Sequence, residues 1–208
     1  MANEMSTFVT VQSENPKVAE RLKELLSPVE GKYETNALEI INRLKGTDYS
    51  YSNETTKEDW DKEVDFPDSE TWEALIGPKW MYVDYDHDEN PQYCNIVLRS
   101  AWCVPTGFLE TLIKELQKID EDCYIKGNYE DESYDPCGAF VYGKFDYDDI
   151  EDYDEEYDWD AADEDDFYTE KWHDKIHELE ESLEQAYLVY LQDRKDNPEE
   201  SEGLFKAL

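Results

Sequence analysis

The sequence predicts an α+β sandwich, one antiparallel sheet covered on one face by helices. Two observations carry this. Short β-branched and aromatic stretches come in hairpin-like pairs, at 81–85 with 93–99 and at 123–129 with 139–145. Stretches with apolar residues at helical spacing lie between them, so the order is strand, helices, two strands, helix, two strands.

Thr7 to Gln12 alternates around Val9 and Val11 and reads as a short strand. Asn15-Pro16 is a helix start, Asn as N-cap and Pro in the first turn. Val18, Leu22, Leu25 and Leu26 follow at helical spacing, and Ser27-Pro28 ends the helix. A second helix is expected from about Thr35, burying Ala37, Leu38, Ile41 and Leu44, with Gly46 as its C-terminal cap. Residues 47–70 are polar and read as a long insertion with at most one helical turn. Met81 to Tyr85 and Tyr93 to Arg99 are strands joined by the polar turn DHDENP. Thr106 opens an amphipathic helix with Leu109, Leu112, Ile113, Leu116 and Ile119 on one face. Trp80 and Trp102 flank strands and are expected in the core. Near the C-terminus, Thr169 is the expected cap of a long helix. Its stripe is Trp172, Ile176, Leu179, Leu183, Tyr187 and Leu191, with Arg194 and Lys195 in its last turn and Asn197-Pro198 as its stop. The chain thus divides into an α+β domain at 1–145, an acidic segment at 146–166, and a helix with tail at 167–208.

The middle of the chain resembles a known family. Gly77-Pro78-Lys79-Trp80 is followed by Ser100-Ala101-Trp102-Cys103-Val104-Pro105, then Tyr129-Glu130-Asp131-Glu132, then Gly138-Ala139-Phe140-Val141-Tyr142-Gly143. This looks like the small YubB-type domain of phages and plasmids over about residues 77–145. Gly-Pro stands here where that family has Gly-Thr, and one proline follows Trp102. The resemblance implies a ferredoxin-like sheet and a mobile-element origin. It implies no activity, catalytic residue or iron–sulfur cluster.

The chain is strongly acidic. The 208 residues carry 55 acidic and 19 basic side chains, a formal net charge of −36. Such a charge keeps a protein soluble and repels nucleic acid and anionic membrane, so basic proteins are the expected partners. The peak is DYDDIEDYDEEYDWDAADEDD, residues 146–166, with fourteen carboxylates and no basic residue. Blocks of like charge are commonly solvated linkers. This run differs in being punctuated by Tyr147, Ile150, Tyr153, Tyr157 and Trp159. Ile150, Tyr153 and Tyr157 are spaced to share one face if the run is helical. A helical run would carry one charge per roughly 2.2 Å, against about one per 1.7 Å for duplex DNA.

The sequence therefore predicts a non-enzymatic anti-defence inhibitor, borne by a phage or plasmid, that mimics DNA. Its composition is similar to that of phage DNA-mimic proteins. It would block the basic nucleic-acid channel of a host nuclease or CRISPR-type effector. The expected contact residues are Asp146, Asp148, Asp149, Glu151, Asp152, Tyr153, Asp154, Glu155, Glu156, Tyr157, Asp158, Trp159 and Asp160. Tyr153, Tyr157 and Trp159 would be the interface anchors. The alternative is an acidic module that binds a basic nucleoid or transcription protein without mimicry. The long helix would brace the run or pair with a second copy in a homodimer.

Other chemistry is weak by comparison. Asp84-Tyr85-Asp86-His87-Asp88 begins like a calcium loop, but its sixth and twelfth positions are Glu89 and Asn95, not Gly and Glu. His173 and His177 share a helical face but lack a third ligand in sequence. Catalytic motifs are absent, and no cofactor or metal is expected. The four cysteines Cys94, Cys103, Cys123 and Cys137 lack close spacing and read as reduced thiols. With no basic or apolar leader at Met1–Ser13, a cytoplasmic location is expected, the host cytoplasm if phage-encoded.

Overall fold

The structure is a computed structural model and describes residues 3–29, 31–49, 68–85 and 93–197. Its elements are β1 (Glu4–Gln12), α1 (Pro16–Leu26), β2 (Thr35–Asn36), α2 (Ala37–Lys45), α3 (Ser69–Leu75), β3 (Met81–Tyr85), β4 (Tyr93–Ala101), α4 (Thr106–Leu116), β5 (Tyr124–Asp131), β6 (Cys137–Tyr142), β7 (Asp148–Asp152), α5 (Trp159–Glu164) and α6 (Asp166–Asp196). The seven strands form one antiparallel sheet in the order β2-β3-β4-β1-β5-β6-β7. The fold is α+β, as expected.

Local signals act as the sequence implies. The Asn15 side chain accepts from the Lys17 N–H at the start of α1. Asn36 and Glu39 form a reciprocal capping box on α2, and Gly46 closes that helix in the left-handed conformation. Strand alternation then builds the main core. Met5, Val9 and Val11 of β1, Ile96 and Leu98 of β4, Ile125 of β5 and Phe140 of β6 face Leu22, Ile41, Leu109, Leu112 and Leu116 of the helices.

Helices are not confined to one face. α6 lies on the opposite face, where Leu183, Tyr187 and Leu191 pack on Ala139 and Val141 of β6. Strand β6 is buried on both sides, so its near-continuous apolar run is that of an interior strand. On the β3-β4-β1 part of this second face, Phe8 and Tyr82 remain substantially exposed.

Several expectations change. Residues 69–75 form α3, starting on an Asp68 cap, within what reads as loop at 69–70; Trp72 is its buried anchor, its indole N–H donating to the Pro78 carbonyl. Trp60, Phe66, the DHDENP turn, the calcium-like positions 86–89 and the tail 199–208 lie outside the described residues. Trp102 is not a core residue: it is 54% exposed, with φ +63 where the chain leaves β4. Cys123 and Cys137 are buried, and burial lifts the Cys137 thiol to about 11; Cys103 is exposed, and the Cys94 side chain lies outside the described ones. Among the described residues, no helix is long and apolar enough to cross a membrane.

Candidate anionic surface

The acidic run is built into the sheet rather than hung from it. β6 ends at Tyr142, and the chain reverses through Lys144–Tyr147. Phe145 and Asp146 are both left-handed, at φ +64 and +55. Two successive positive φ values are the backbone of a primed hairpin turn, which matches strand twist. The Phe145 ring is held beneath Lys144 Nζ at 5.3 Å and the Arg194 guanidinium at 5.8 Å. The return strand is β7, paired Tyr142↔Asp148 through Gly138↔Asp152.

β7 is the outermost strand, and all five of its residues are exposed. Its sequence, DDIED, is a poor strand former by composition. The pairing with β6 supplies what propensity lacks. Its charges also suit an edge, because carboxylates discourage pairing with further strands. Asp148, Asp149, Glu151 and Asp152 stand on an extended backbone rising about 3.4 Å per residue. Successive side chains alternate faces, so Asp149 and Glu151 share one face about 6.8 Å apart, and Asp148 and Asp152 flank Ile150 on the other. The helical arrangement of Ile150, Tyr153 and Tyr157 does not occur: Ile150 lies in β7, half exposed.

Beyond β7 the chain is tied down by aromatic packing. The Tyr153 N–H donates to the Cys137 carbonyl at 2.8 Å, and its ring meets Trp172 edge-on at 5.0 Å. Tyr157 is 8% exposed. It stacks on Tyr134 at 4.2 Å and meets Trp159, Tyr168 and Trp172 edge-on. Tyr157 is therefore a core residue rather than an exposed anchor. Trp159, 50% exposed, is the aromatic that remains available. Asp158 caps α5 through the Ala161 N–H. Asp165, not Thr169, caps α6 through the Phe167 N–H, and Thr169 sits inside the helix, 3.2 Å from the Tyr157 hydroxyl.

The carboxylates of 146–166 are exposed. Among the described residues, the one ion pair they form is Glu155 with Lys175. That ammonium and the Tyr153 hydroxyl hold the Glu155 carboxyl below the usual range. Asp152 accepts from the buried Tyr129 hydroxyl. The surface is thus an ordered field of nearly uncompensated charge.

Basic side chains gather behind it, at the joints of the scaffold. Lys126 reaches Glu184 at 2.8 Å and Glu180 at 3.3 Å between β5 and α6. Lys195 and Lys144 converge on Asp122 and hold its carboxyl below the usual range.

The two helical histidines find separate carboxylates: His173 faces Glu130 at 3.7 Å, and His177 faces Glu180 at 3.8 Å. Among the described residues, no group of three or more His, Cys, Asp or Glu is arranged to hold a metal ion. Glu130 lies on the second sheet face beneath α6. Burial pushes its carboxyl above the ordinary value of 4.5, against the pull of His173. A carboxyl raised on folding carries a penalty at pH above its folded value, and the penalty disappears below the unfolded one. Glu130→Gln should therefore raise the melting temperature at pH 7, and this gain should vanish below about pH 4. Thermal melts of both proteins across that range check the sign.

Comparison of the chain with family models, curated proteins and solved structures returned no match.

Proposed function

We propose that this chain is a DNA-mimic inhibitor. It presents the 146–166 surface to the basic nucleic-acid channel of a host protein, and an anti-defence role against a nuclease or CRISPR-type effector is the reading we favour. The observation that carries it is the run's order. A solvated linker has no need of a strand register or a buried tyrosine stack, whereas a mimic must hold its charges at fixed spacing. The strand order β3-β4-β1-β5, with α1 and α4 in the two crossovers, also fits the ferredoxin-like core of a YubB-type domain. In this reading β6 still belongs to the resembling region, and β7 and α6 are the addition that carries the charged surface.

The test is capture of proteins from bacterial lysate by the parent and by a neutralised variant. The variant carries Asp148→Asn, Asp149→Asn, Glu151→Gln, Asp154→Asn, Glu156→Gln and Asp160→Asn. These six are exposed and form no ion pair among the described residues, while Asp152, Glu155 and Asp158 keep their structural contacts. The variant should melt at the parent's temperature or above, because repulsion is relieved. It should bind the captured protein at least about tenfold more weakly, and the parent's affinity should fall steeply with salt. Capture that ignores salt, charge state and duplex DNA contradicts the proposal. Capture that is salt-sensitive but indifferent to DNA favours a basic-protein module without mimicry.

A further inference from the structure

A cleft of about 360 Å³ opens between the second sheet face and α6, lined by Phe8, Asn128, Glu130, His173, Ile176 and His177. It lies apart from the β7 edge. Strand register places Phe8 beside Asn128 on one cross-strand row, with Ser6 beside Glu130 on the next. The walls are mixed in a particular way. Phe8, 39% exposed, and Ile176 offer apolar surface, while Glu130 offers a carboxylate whose nearest cationic candidate is the weakly placed His173. Neighbouring carboxylates elsewhere on this face are already matched: Lys126 and Asn128 both engage Glu180. Glu130 is the acidic group of the cleft with no lysine or arginine beside it among the described residues.

We propose that this cleft takes an arginine side chain of the partner, its stem against Ile176, its guanidinium over the Phe8 ring and hydrogen-bonded to Glu130. The choice of occupant follows from chemistry. The protein's field attracts cations and repels anions. A flat aromatic wall beside a carboxylate suits a planar guanidinium, which stacks and binds in two-point fashion, better than a compact ammonium. The raised Glu130 carboxyl agrees with this: a partly desolvated carboxylate without a strong partner gains most from an incoming cation. The inference rests on the reading of a basic partner but concerns a different surface from the acidic edge.

The test is a titration of the whole chain with N-acetyl-arginine methylamide at constant ionic strength, followed by NMR. Its neutral isostere, N-acetyl-citrulline methylamide, is the comparison. Perturbations should centre on the Phe8 ring, the Ile176 methyls and the two imidazoles, and citrulline should produce none of comparable size. Glu130→Gln should weaken binding about tenfold, and Phe8→Leu, at a half-exposed site that tolerates it, should weaken it several-fold. The six-site neutralised variant should retain cleft binding within about twofold, because screening limits distant charges. Shifts spread along β7 and α5, equal binding of citrulline, or an unchanged affinity in Glu130→Gln would overturn the cleft. In that event an intact loss of partner binding in the neutralised variant leaves the acidic-edge reading standing, so the two proposals fail separately.

Discussion

Tyr187→Ala should destabilise the fold by about 3–5 kcal/mol and loosen α6 from the sheet. Tyr187 is fully buried. Its ring sits 5.1 Å from both Tyr124 and Tyr147, and its hydroxyl accepts the Lys144 N–H at 3.0 Å. Gly143 lies directly beneath, where an added Cβ would come within 2.2 Å of the ring. The aromatic fills a space that a glycine was needed to make, so truncation leaves a cavity that neighbouring backbone is poorly placed to close. Tyr187→Phe keeps the ring and removes the acceptor, and should cost only about 1 kcal/mol. Denaturant melts of the two variants measure the difference, and amide exchange along 179–196 reports whether α6 opens first. Equal costs for both variants would place the energy in the hydroxyl instead of the packing.

Lys126→Met should cost about 3 kcal/mol or more, because it strands Glu180 and Glu184 in the β5–α6 interface. The Lys126 side chain is 16% exposed, and those carboxylates are 9% and 15% exposed. Asn128 and the Tyr124 hydroxyl complete the network, donating to Glu180 and Glu184. Burial alone would lower the Lys126 ammonium, but the Glu184 hydrogen bond and both carboxylates outweigh it and leave it above the ordinary value of 10.5. The stabilisation is therefore complete below the ordinary lysine value and is lost as pH rises through the folded one. Replacing all three charged residues with apolar ones should recover most of the loss, since a buried pair is often no better than good packing. A melt series of the single and triple variants tests this. A triple variant as unstable as Lys126→Met would show that the network is needed for α6 to dock at all.

The parts of the fold legible in the sequence are those where local chemistry and burial agree. Asn15-Pro16, the Asn36–Glu39 box and Gly46 are short-range devices, and they set α1 and α2 where the spacing places them. The stripe Trp172–Leu191 reads correctly because apolar residues recur against a charged background. One position in it is displaced: Glu180 is buried where the pattern favours Leu179, because Lys126 and Asn128 wait for it on β5. Strand β7 was not legible. Nothing local makes DDIED extended; β6 does so across the sheet, through a turn that uses Phe145 and Asp146 where Asn-Gly is the usual signal. Packing from elsewhere in the chain draws Tyr157 inward too, since Tyr134 comes from the turn between β5 and β6 and Tyr168 and Trp172 from α6. The exposed carboxylates of 146–166 were legible as a surface from composition alone, while the cleft at Glu130 depends on β1, β5 and α6 meeting and has no sequence signature.

The most direct measurement of the central claim is a competition titration. A basic nucleic-acid-binding protein captured by the chain is titrated with it at fixed salt and increasing duplex DNA. A mimic occupies the same channel, so its apparent Kd should rise in proportion to the DNA concentration once the channel begins to fill, and the six-site neutralised variant should be displaced at lower DNA concentrations than the parent. An apparent Kd that stays constant while DNA saturates the partner would mean the two bind at different sites, and DNA mimicry would be contradicted.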